Sequence, residues 1–328
     1  MSEVVAITGA SAGVGRATVR AFAKRGASIA LIARDTEGLW AAAKEVEATG
    51  GRALALPTDV ADSAAVESAA ERAESQLGPI DIWINVAMAT IYAPLDRIAP
   101  EEYRRATEVT YLGNVYGTMA GLKRMRVRNR GTIVQVGSAL AYRAIPLQAP
   151  YCGAKFAIRG FTDSLRSELL HDRIDIHLTM VQMSALNTPQ FDWGRNKLAK
   201  RPQPVPPIFQ PEVAAEAIVF AAYARRREVR VGGPTIKAIL ANLVVPGLLD
   251  RYLARQGYSG QLSAEPADPG APDNLFAPVP GDHGAHGRFD GRAVQRSAAL
   301  WASMHKGTLF AGAAVVGLAL LTAGFVVL

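Results

Sequence analysis

The sequence is poor in the residues that crosslink a chain or bind metals. It contains 328 residues and a single cysteine, Cys152, which excludes an intramolecular disulfide and a cysteine-based metal cage. Its five histidines are scattered, and His283 and His286 have no third ligand close to them in the sequence. We therefore predict no metal site.

Aromatic residues are also scarce, at 7% of the chain, and none is interleaved with the two densest basic runs, residues 123–130 and 225–230. Both runs end a helical pattern just before an apolar strand. Solvated helix termini that favour cations explain them, and contact with membrane phosphates is the alternative. The formal charge of +7 also suits a phosphate-bearing cofactor. Because no nucleic-acid-binding module surrounds either run, we predict no nucleic-acid partner.

Targeting signals are absent at the start of the chain but not at its end. Residues 4–7 form an apolar strand directly after Met-Ser-Glu, so we expect no signal peptide. Thr308–Leu328 carries no charge and is long enough, at about 1.5 Å per residue, to cross a bilayer as a helix. A buried core helix is the alternative, although this segment is apolar on every side. We predict one transmembrane helix over residues 307–328, with the body on the cytoplasmic side because basic residues precede the helix, namely Arg288, Arg292, Arg296 and Lys306.

Apolar runs rich in Val, Ile and Leu alternate with helical patterns along most of the chain. The predicted strands are 4–8, 27–33, 53–57, 80–86, 131–137, 175–182 and 228–231. The predicted helices are 14–25, 36–49, 63–77, 101–126, 150–170, 211–224 and 235–255. This alternation predicts an α/β fold with a Rossmann-type, doubly wound, seven-stranded parallel sheet over residues 1–258. The Pro- and Gly-rich residues 259–306 are interpreted as a linker or an extended arm that lies on the body.

A glycine-rich turn, Thr8-Gly9-Ala10-Ser11-Ala12-Gly13-Val14-Gly15, lies between the first strand and the first helix. Such glycines allow the backbone to approach a pyrophosphate, and the helix N-terminus offers free N–H groups; a plain tight turn is the alternative. The second strand ends in Ala33-Arg34 where an acidic residue would select NAD(H). Arg34 suits a 2′-phosphate, whereas Asp35 complicates this interpretation. The sequence predicts NADP(H) rather than NAD(H).

Three polar side chains form a candidate catalytic set. The fifth strand ends at Ser138, and Tyr151 and Lys155 follow at positions i and i+4 of a helix, which share one face. A free phenol titrates near pH 10, and a neighbouring ammonium group lowers that pKa towards the range in which proton transfer is efficient. Tyr151 is therefore the predicted general acid/base.

The glycine turn, the strand-terminal serine and the Tyr-x-x-x-Lys motif together resemble the short-chain dehydrogenase/reductase family over roughly residues 1–240. The resemblance implies that Tyr151 exchanges a proton with the substrate oxygen and that Ser138 polarises that oxygen. It implies that Lys155 also holds the nicotinamide ribose and that Asn114 positions a water in the proton relay. An ordinary mid-helix asparagine is the alternative for Asn114. Self-association as a homo-oligomer is also expected from the family.

The resemblance further implies cofactor contacts beyond the glycine turn. Asp59 and Val60 would border the adenine, although a helix cap or turn is the alternative for Asp59. The full predicted set is Thr8, Gly9, Ser11, Gly13, Val14, Gly15, Arg34, Asp59, Val60, Asn85, Ala87, Tyr151, Lys155 and Thr188. The chain departs from the family pattern at Val86 and Met88, and at Met183-Ser184, which replaces a Pro-Gly pair.

Residues 189–211 are predicted to form a proline-stiffened lid whose apolar side chains suit a hydrophobic ligand, although they could instead pack on the body. Leu140, Tyr142 and Ile145 are expected in the same pocket. The sequence thus predicts an NADP(H)-dependent oxidoreductase that interconverts a lipophilic alcohol with a ketone or aldehyde. The alternative is a catalytically silent, membrane-tethered NADP(H)-binding scaffold or sensor.

Overall fold

The computed structural model describes residues 2–306, and a parallel β-sheet lies at their centre. Its strands are β1 (Val4–Thr8), β2 (Ser28–Ala33), β3 (Ala53–Pro57), β4 (Ile82–Asn85), β5 (Gly131–Ser138), β6 (Ile176–Met183) and β7 (Glu228–Arg230). They are arranged in the order β7-β6-β5-β4-β1-β2-β3, and every neighbouring pair is parallel. The predicted Rossmann-type fold with a seven-stranded parallel sheet is confirmed.

The strands are buried because both faces of the sheet are covered. All residues of β1 and β2 are buried, which accounts for their near-continuous apolar sequences. Alternate side chains enter two separate apolar clusters: Val5 and Ile7 belong to one, and Val4 and Ala6 to the other. The core therefore consists of one layer of side chains on each face.

The helices that cover the sheet are α1 (Gly13–Ala23), α2 (Thr36–Glu47), α3 (Ser63–Leu77), α4 (Pro100–Thr107), α5 (Gly113–Arg128), α6 (Ala149–His171), α7 (Pro211–Tyr223), α8 (Gly233–Val244), α9 (Pro246–Gln256) and α10 (Ala298–Met304). The predicted helix 101–126 is divided by a π-helical turn at Glu108–Leu112. The predicted helix 235–255 is divided at Pro246, because proline has no N–H to donate and its ring clashes with the preceding turn.

Residues 259–306 form an arm that lies on the body. Its strand Leu262–Pro266 pairs antiparallel with Lys200–Pro202, and Ala293–Val294 pairs in parallel with Ile208–Phe209. Leu300 of α10 is buried in the same apolar cluster as β7. The arm is thus attached both to the segment predicted as a lid, residues 189–211, and to the edge of the sheet.

The predicted transmembrane helix, residues 307–328, lies outside the described residues. Within residues 2–306, no helix combines the length and the apolar character needed to cross a membrane.

The two basic runs lie close to the ends of α5 and α7, and many of their side chains form ion pairs. Arg124 contacts Glu67, and Arg128 contacts Asp81. In the second run, Arg227 contacts Asp163 at 2.7 Å. The pair of Arg227 is exposed and contributes little to stability, whereas Arg124 is buried, and the ion pairs of both runs lie at or near the ends of helices.

Candidate active site

A cavity of about 420 Å³ opens at the carboxyl ends of the strands, and most of the predicted site residues line it. Those that do are Gly9, Ser11, Gly13, Val14, Gly15, Arg34, Val60, Ala87, Ser138, Tyr151, Lys155 and Thr188. Thr8, Asp59, Asn85 and Asn114 lie outside its lining. In open α/β sheets, ligands bind at this edge, where the order of the strands reverses.

The glycine turn forms one wall and has no room for side chains. Gly9 has φ +69°, and a Cβ atom there would lie 2.9 Å from the Cα of Ala87. A Cβ on Gly15 would lie 1.9 Å from the carbonyl oxygen of Gly9. Helix α1 begins at Gly13, and its N-cap residue Ala12 provides no side-chain acceptor. The turn therefore presents close-lying backbone and a helix N-terminus to the cavity, which suits a phosphate-bearing cofactor.

Thr8 and Asn85 support this turn from behind. The hydroxyl of Thr8 accepts hydrogen bonds from the backbone N–H groups of Val86 and Ala87, at 3.0 and 3.2 Å. Asn85 donates to Thr118 and Gln135 in a buried network. The departure from the family pattern at Val86 leaves these contacts intact, because they use the backbone of that residue.

The adenosine side of the predicted site contains Arg34, which lines the cavity. Asp35 does not pair with Arg34; its carboxylate caps α2 by accepting from the N–H of Gly38 at 2.9 Å. Asp59 forms an ion pair with Arg105 at 2.5 Å. Burial alone would raise the pKa of Asp59, but the hydrogen bonds from Arg105 and from the N–H of Ala61, together with the charges of Arg105 and Arg34, hold the pKa below its ordinary value.

The candidate catalytic side chains meet at the floor of the cavity. Ser138 is the last residue of β5, while Tyr151 and Lys155 lie in the first turns of α6. Ser138 lies close enough to Tyr151 to lower the pKa of its phenol, and its hydroxyl also accepts a hydrogen bond from the N–H of Leu140 at 3.1 Å. The Lys155 amine lies 5.4 Å from the centroid of the Tyr151 ring and donates to the carbonyl of Val136 at 2.7 Å. The structure brings together the three residues that the sequence singled out.

Burial governs the ionisation of this set. It raises the pKa of Tyr151 to about 12, against the opposing effect of Ser138. Burial also lowers the pKa of Lys155 to about 8. Burial disfavours the charged forms of both groups, and the predicted lowering of the Tyr151 pKa by Lys155 stays a prediction. At neutral pH Tyr151 holds its proton and is a donor.

Asn114 lies outside the cavity lining, at the start of a helix that follows an irregular turn. It is the second residue of α5, directly after the π-helical turn, a feature that occurs often at functional sites. The side chain is buried, and within residues 2–306 its Oδ1 atom has no hydrogen-bond partner. A buried acceptor without a partner calls for a water or a ligand, which agrees with the water-positioning role implied for Asn114.

The loop after β6 is anchored differently from the family pattern. The hydroxyl of Ser184 donates to the carbonyl of Val231 at 2.6 Å and contacts the hydroxyl of Thr235 at 2.7 Å. This ties the start of the loop to the segment after β7. Thr188, which the resemblance assigns to the nicotinamide carboxamide, is buried and lines the cavity.

The remaining walls are largely apolar and come from the segment predicted as a lid. Phe191, Trp193, Pro204, Val205, Pro206 and Pro207 line the cavity, together with Leu140 and Ile145. Tyr142 does not contribute to this wall; its hydroxyl instead donates to Glu228 at 2.5 Å.

Sequence reasoning missed one wall altogether. Pro278, Val279 and His283 of the arm line the cavity. The apolar pair Leu275-Phe276, in an otherwise polar and proline-rich stretch, was the available signal that this segment packs on the body. Among the described residues, no group of His, Cys, Asp and Glu is arranged to hold a metal ion.

A Rossmann-type sheet, a phosphate-suited turn and a Ser-Tyr-Lys set at its edge define an oxidoreductase that acts on CH–OH groups. The model of the short chain dehydrogenase family matches residues 3–195, and the chain belongs to this family.

Relatives and solved structures agree with this assignment. The chain is 30% identical over 318 residues to an uncharacterized oxidoreductase, YxnA, of Bacillus subtilis, covering 96% of this chain and 88% of that protein. It is 33% identical to 3-dehydrosphinganine reductase of Danio rerio over 57% of each chain. A short chain dehydrogenase from Mycobacterium paratuberculosis bound to NAD has the same fold, with a TM-score of 0.61 at 22% identity, over 70% of this chain and 95% of that one.

Proposed function

We propose that this protein is an NADP(H)-dependent oxidoreductase that interconverts a lipophilic alcohol with its ketone or aldehyde. The observation that carries the proposal is the meeting of Ser138, Tyr151 and Lys155 in one cavity with the glycine turn. The turn suits a nicotinamide dinucleotide, because α1 begins there without a side-chain cap and Gly9 and Gly15 bring the backbone close to the cavity where no side chain fits. When bound, the cofactor supplies or accepts the hydride.

The residues of the chain supply the proton and the polarisation. In the reducing direction Tyr151, neutral at pH 7, donates its hydroxyl proton to the carbonyl oxygen of the substrate. Ser138 donates a hydrogen bond to that same oxygen and stabilises the developing negative charge. The free Oδ1 of Asn114 accepts a hydrogen bond from a water that replaces the proton. In the oxidising direction each transfer is reversed.

The preference for NADP(H) rests on Arg34. Its Nη atoms donate to backbone carbonyls of the arm, at 3.2 Å for Phe276, which leaves Nε free for a phosphate oxygen. Arg105 adds positive charge nearby, where it contacts Asp59. Asp35 also lines the cavity, but its carboxylate accepts a hydrogen bond from the N–H of Gly38 at the N-terminus of α2, which offsets part of its negative charge.

The lipophilic substrate is supported by the apolar lining and by the surface beside it. Pro234, Thr235 and Ala238 at the start of α8 line the cavity. Further along α8 and α9, large apolar side chains are exposed, namely Leu240, Leu243, Val244, Leu248 and Tyr252. A group of exposed large apolar side chains, here called the patch, is typical of a surface that meets a membrane or another protein. We propose that this patch faces a lipid surface, from which the substrate enters.

The tether to that surface is the uncharged segment Thr308–Leu328, which we propose as a membrane-spanning helix that keeps the body on the cytoplasmic side.

We also propose that the enzyme self-associates, as its family suggests, and sedimentation of the solubilised protein tests this.

The experiment is a panel of NADPH oxidation assays on the detergent-solubilised full chain. Long-chain and polycyclic ketones and aldehydes are compared with small polar ketones at matched concentrations. We expect turnover of the lipophilic compounds with much larger kcat/KM. Turnover confined to small polar ketones would contradict the proposed substrate class, and a lower Kd for NADH than for NADPH would contradict the cofactor preference.

A further inference from the structure

We infer that residues 273–290 of the arm, here called the strap, form the outer wall of the cofactor cleft and hold the bound dinucleotide in place. This inference rests on the proposed function, since it assigns a second part of the chain to the same cofactor site. The strap crosses the mouth of the cavity from the adenosine side to the glycine turn, and it is fixed to the body on both sides of the opening.

The first anchor lies on the adenosine side. The Arg34 guanidinium donates to the carbonyls of Asn274 and Phe276, at 3.2 Å for Phe276. Arg105 donates to the carbonyl of Leu275 at 3.1 Å. The Leu275 side chain is fully buried in the apolar cluster on one face of the sheet. The same arginine that suits the 2′-phosphate thus also holds the strap.

The middle of the strap spans the cavity. Pro278, Val279 and His283 line it, opposite the glycine turn. The His283 ring packs edge-on against Trp193, with the ring centroids 4.5 Å apart. A cavity remains between strap and turn, so the strap forms a wall of the cleft without filling it.

The second anchor lies at the glycine turn itself. The backbone N–H of Gly13, the first residue of α1, donates to the carbonyl of Gly284 at 3.0 Å. Arg16 is 1% exposed and pairs with Asp282 at 3.2 Å. Buried Ala285 continues this contact against Ala17 of α1 and Ala215 of α7.

The third anchor lies next to Thr188. The Asp290 carboxylate accepts hydrogen bonds from the side-chain amides of Asn187 and Gln210, at 2.8 and 2.9 Å. His286 bridges Asp290 and Glu212, at 2.7 and 2.9 Å. The strap is therefore secured at the adenosine, pyrophosphate and nicotinamide regions of the proposed cofactor site.

The consequence concerns the rate of cofactor exchange. A dinucleotide lying between the glycine turn and the strap leaves only when the strap moves aside, so its dissociation is limited by the release of these anchors. Weakening an anchor that does not line the cavity should accelerate dissociation without removing any contact with the cofactor.

Asp290→Ala provides this test, because Asp290 secures the strap and lies outside the cavity lining. The matched control is Asp250→Ala, which removes an exposed carboxylate paired with Arg143 at 2.5 Å, away from the strap. Dissociation of NADPH from the full chain is followed by stopped-flow fluorescence after mixing with excess NADP⁺. We expect dissociation about fivefold or more faster in Asp290→Ala than in the control.

A second readout needs no rate constant for the cofactor. Phe276 is 49% exposed, so chymotrypsin cleavage of the strap at this residue reports its opening. We expect NADPH to slow cleavage in the wild type. If NADPH dissociates from Asp290→Ala at a rate within twofold of the control, or if NADPH does not slow chymotrypsin cleavage of the wild type, the inference that the strap holds the cofactor is wrong. Failure of the wild type to bind either dinucleotide would overturn the proposed function as well.

Discussion

The two walls of the cofactor cleft are built in different ways. The inner wall consists of the glycine turn after β1 and of Ser138, Tyr151 and Lys155 on β5 and α6, and it is fixed by the core of the sheet. The outer wall is the strap, which is held largely by ion pairs and hydrogen bonds to backbone groups. The catalytic side chains must be held precisely, and they lie on the rigid inner wall. The outer wall must open for cofactor exchange, and it has few buried side chains.

The largest expected effect is on cofactor affinity, and it comes from a substitution in the glycine turn of the inner wall. Gly15→Ala places a Cβ 1.9 Å from the Gly9 carbonyl, so the backbone must shift where the phosphates bind. We expect the Kd for NADPH, measured by fluorescence titration, to rise by about 100-fold or more.

The control for this variant is Gly160→Ala in α6, where an added Cβ meets no atom within 4 Å. Helix propensity predicts a stabilisation of about 0.5–1 kcal/mol there and no change in cofactor affinity. Equal NADPH affinity in the two variants would show that the tight turn is not part of the binding site.

A second change removes the buried amine of the inner wall. Lys155→Met should lower kcat by roughly 100-fold or more, while Lys123→Met, which removes an exposed amine paired with Glu67, should leave it unchanged. Because burial lowers the pKa of Lys155 to about 8, the wild type bears the cost of a buried charge below that pH.

This cost gives the same variant a pH signature. The unfolded chain holds the proton of Lys155 up to its ordinary pKa of 10.5, so wild-type stability rises with pH between about 8 and 10.5. Lys155→Met should be more stable than the wild type by about 1–2 kcal/mol at neutral pH, and the difference should shrink above pH 8. Urea unfolding at several pH values measures it, and a difference that grows with pH would contradict this assignment.

The third prediction compares Leu275, the most deeply buried side chain of the strap, with an exposed residue. Leu275→Ala removes a fully buried side chain and should cost about 2–4 kcal/mol if the strap unfolds together with the body. Leu240→Ala, at a side chain that is 54% exposed, should change stability by less than about 0.5 kcal/mol. A Leu275→Ala cost as small as that of Leu240→Ala would mean that the strap opens independently of the body.

The smallest expected effect is a pH dependence of the strap. Burial alone would lower the pKa of His286, but the hydrogen bonds to Glu212 and Asp290 outweigh it and raise the pKa above 6.5. The stabilisation is therefore complete below about pH 6.5 and is lost as the pH rises through the folded-state pKa. The neutral ring then turns a nitrogen lone pair towards a carboxylate.

We expect chymotrypsin cleavage at Phe276 in the wild type to approach that of His286→Gln as the pH rises from about 6 to about 9. Comparing the two proteins at each pH cancels the pH dependence of the protease. A constant ratio across this range would show that His286 does not hold the strap.

The inner wall was largely predictable because its signals are local. Ser138 at a strand end, Tyr151 and Lys155 one helical turn apart, and the glycines between β1 and α1 are each set by neighbouring residues. The π-helical turn before Asn114 was not predictable, because a π-turn and an α-helix share nearly the same side-chain pattern. The raised pKa of Tyr151 depends on burial, which spacing along the sequence does not report.

The outer wall was not predictable, because its contacts join residues far apart in the sequence. Arg34 and Phe276 meet through a backbone carbonyl, which every residue carries, so the sequence of the strap holds no signal for that contact. Proline and glycine in residues 259–306 correctly indicate irregular structure, but only the apolar pair Leu275-Phe276 suggests that it packs on the body.

The proposed catalysis depends most directly on the phenol of Tyr151, and one paired measurement tests this dependence. Tyr151→Phe removes the hydroxyl of the proposed proton donor. Tyr142→Phe is the control, because it removes the hydroxyl of a tyrosine that contacts Glu228 outside the cavity. NADPH affinity and turnover of the best lipophilic substrate are measured on the same samples. We expect Tyr151→Phe to bind NADPH as the wild type does and to lose about 100-fold or more in kcat, with Tyr142→Phe near the wild-type rate. Wild-type turnover by Tyr151→Phe would contradict the account.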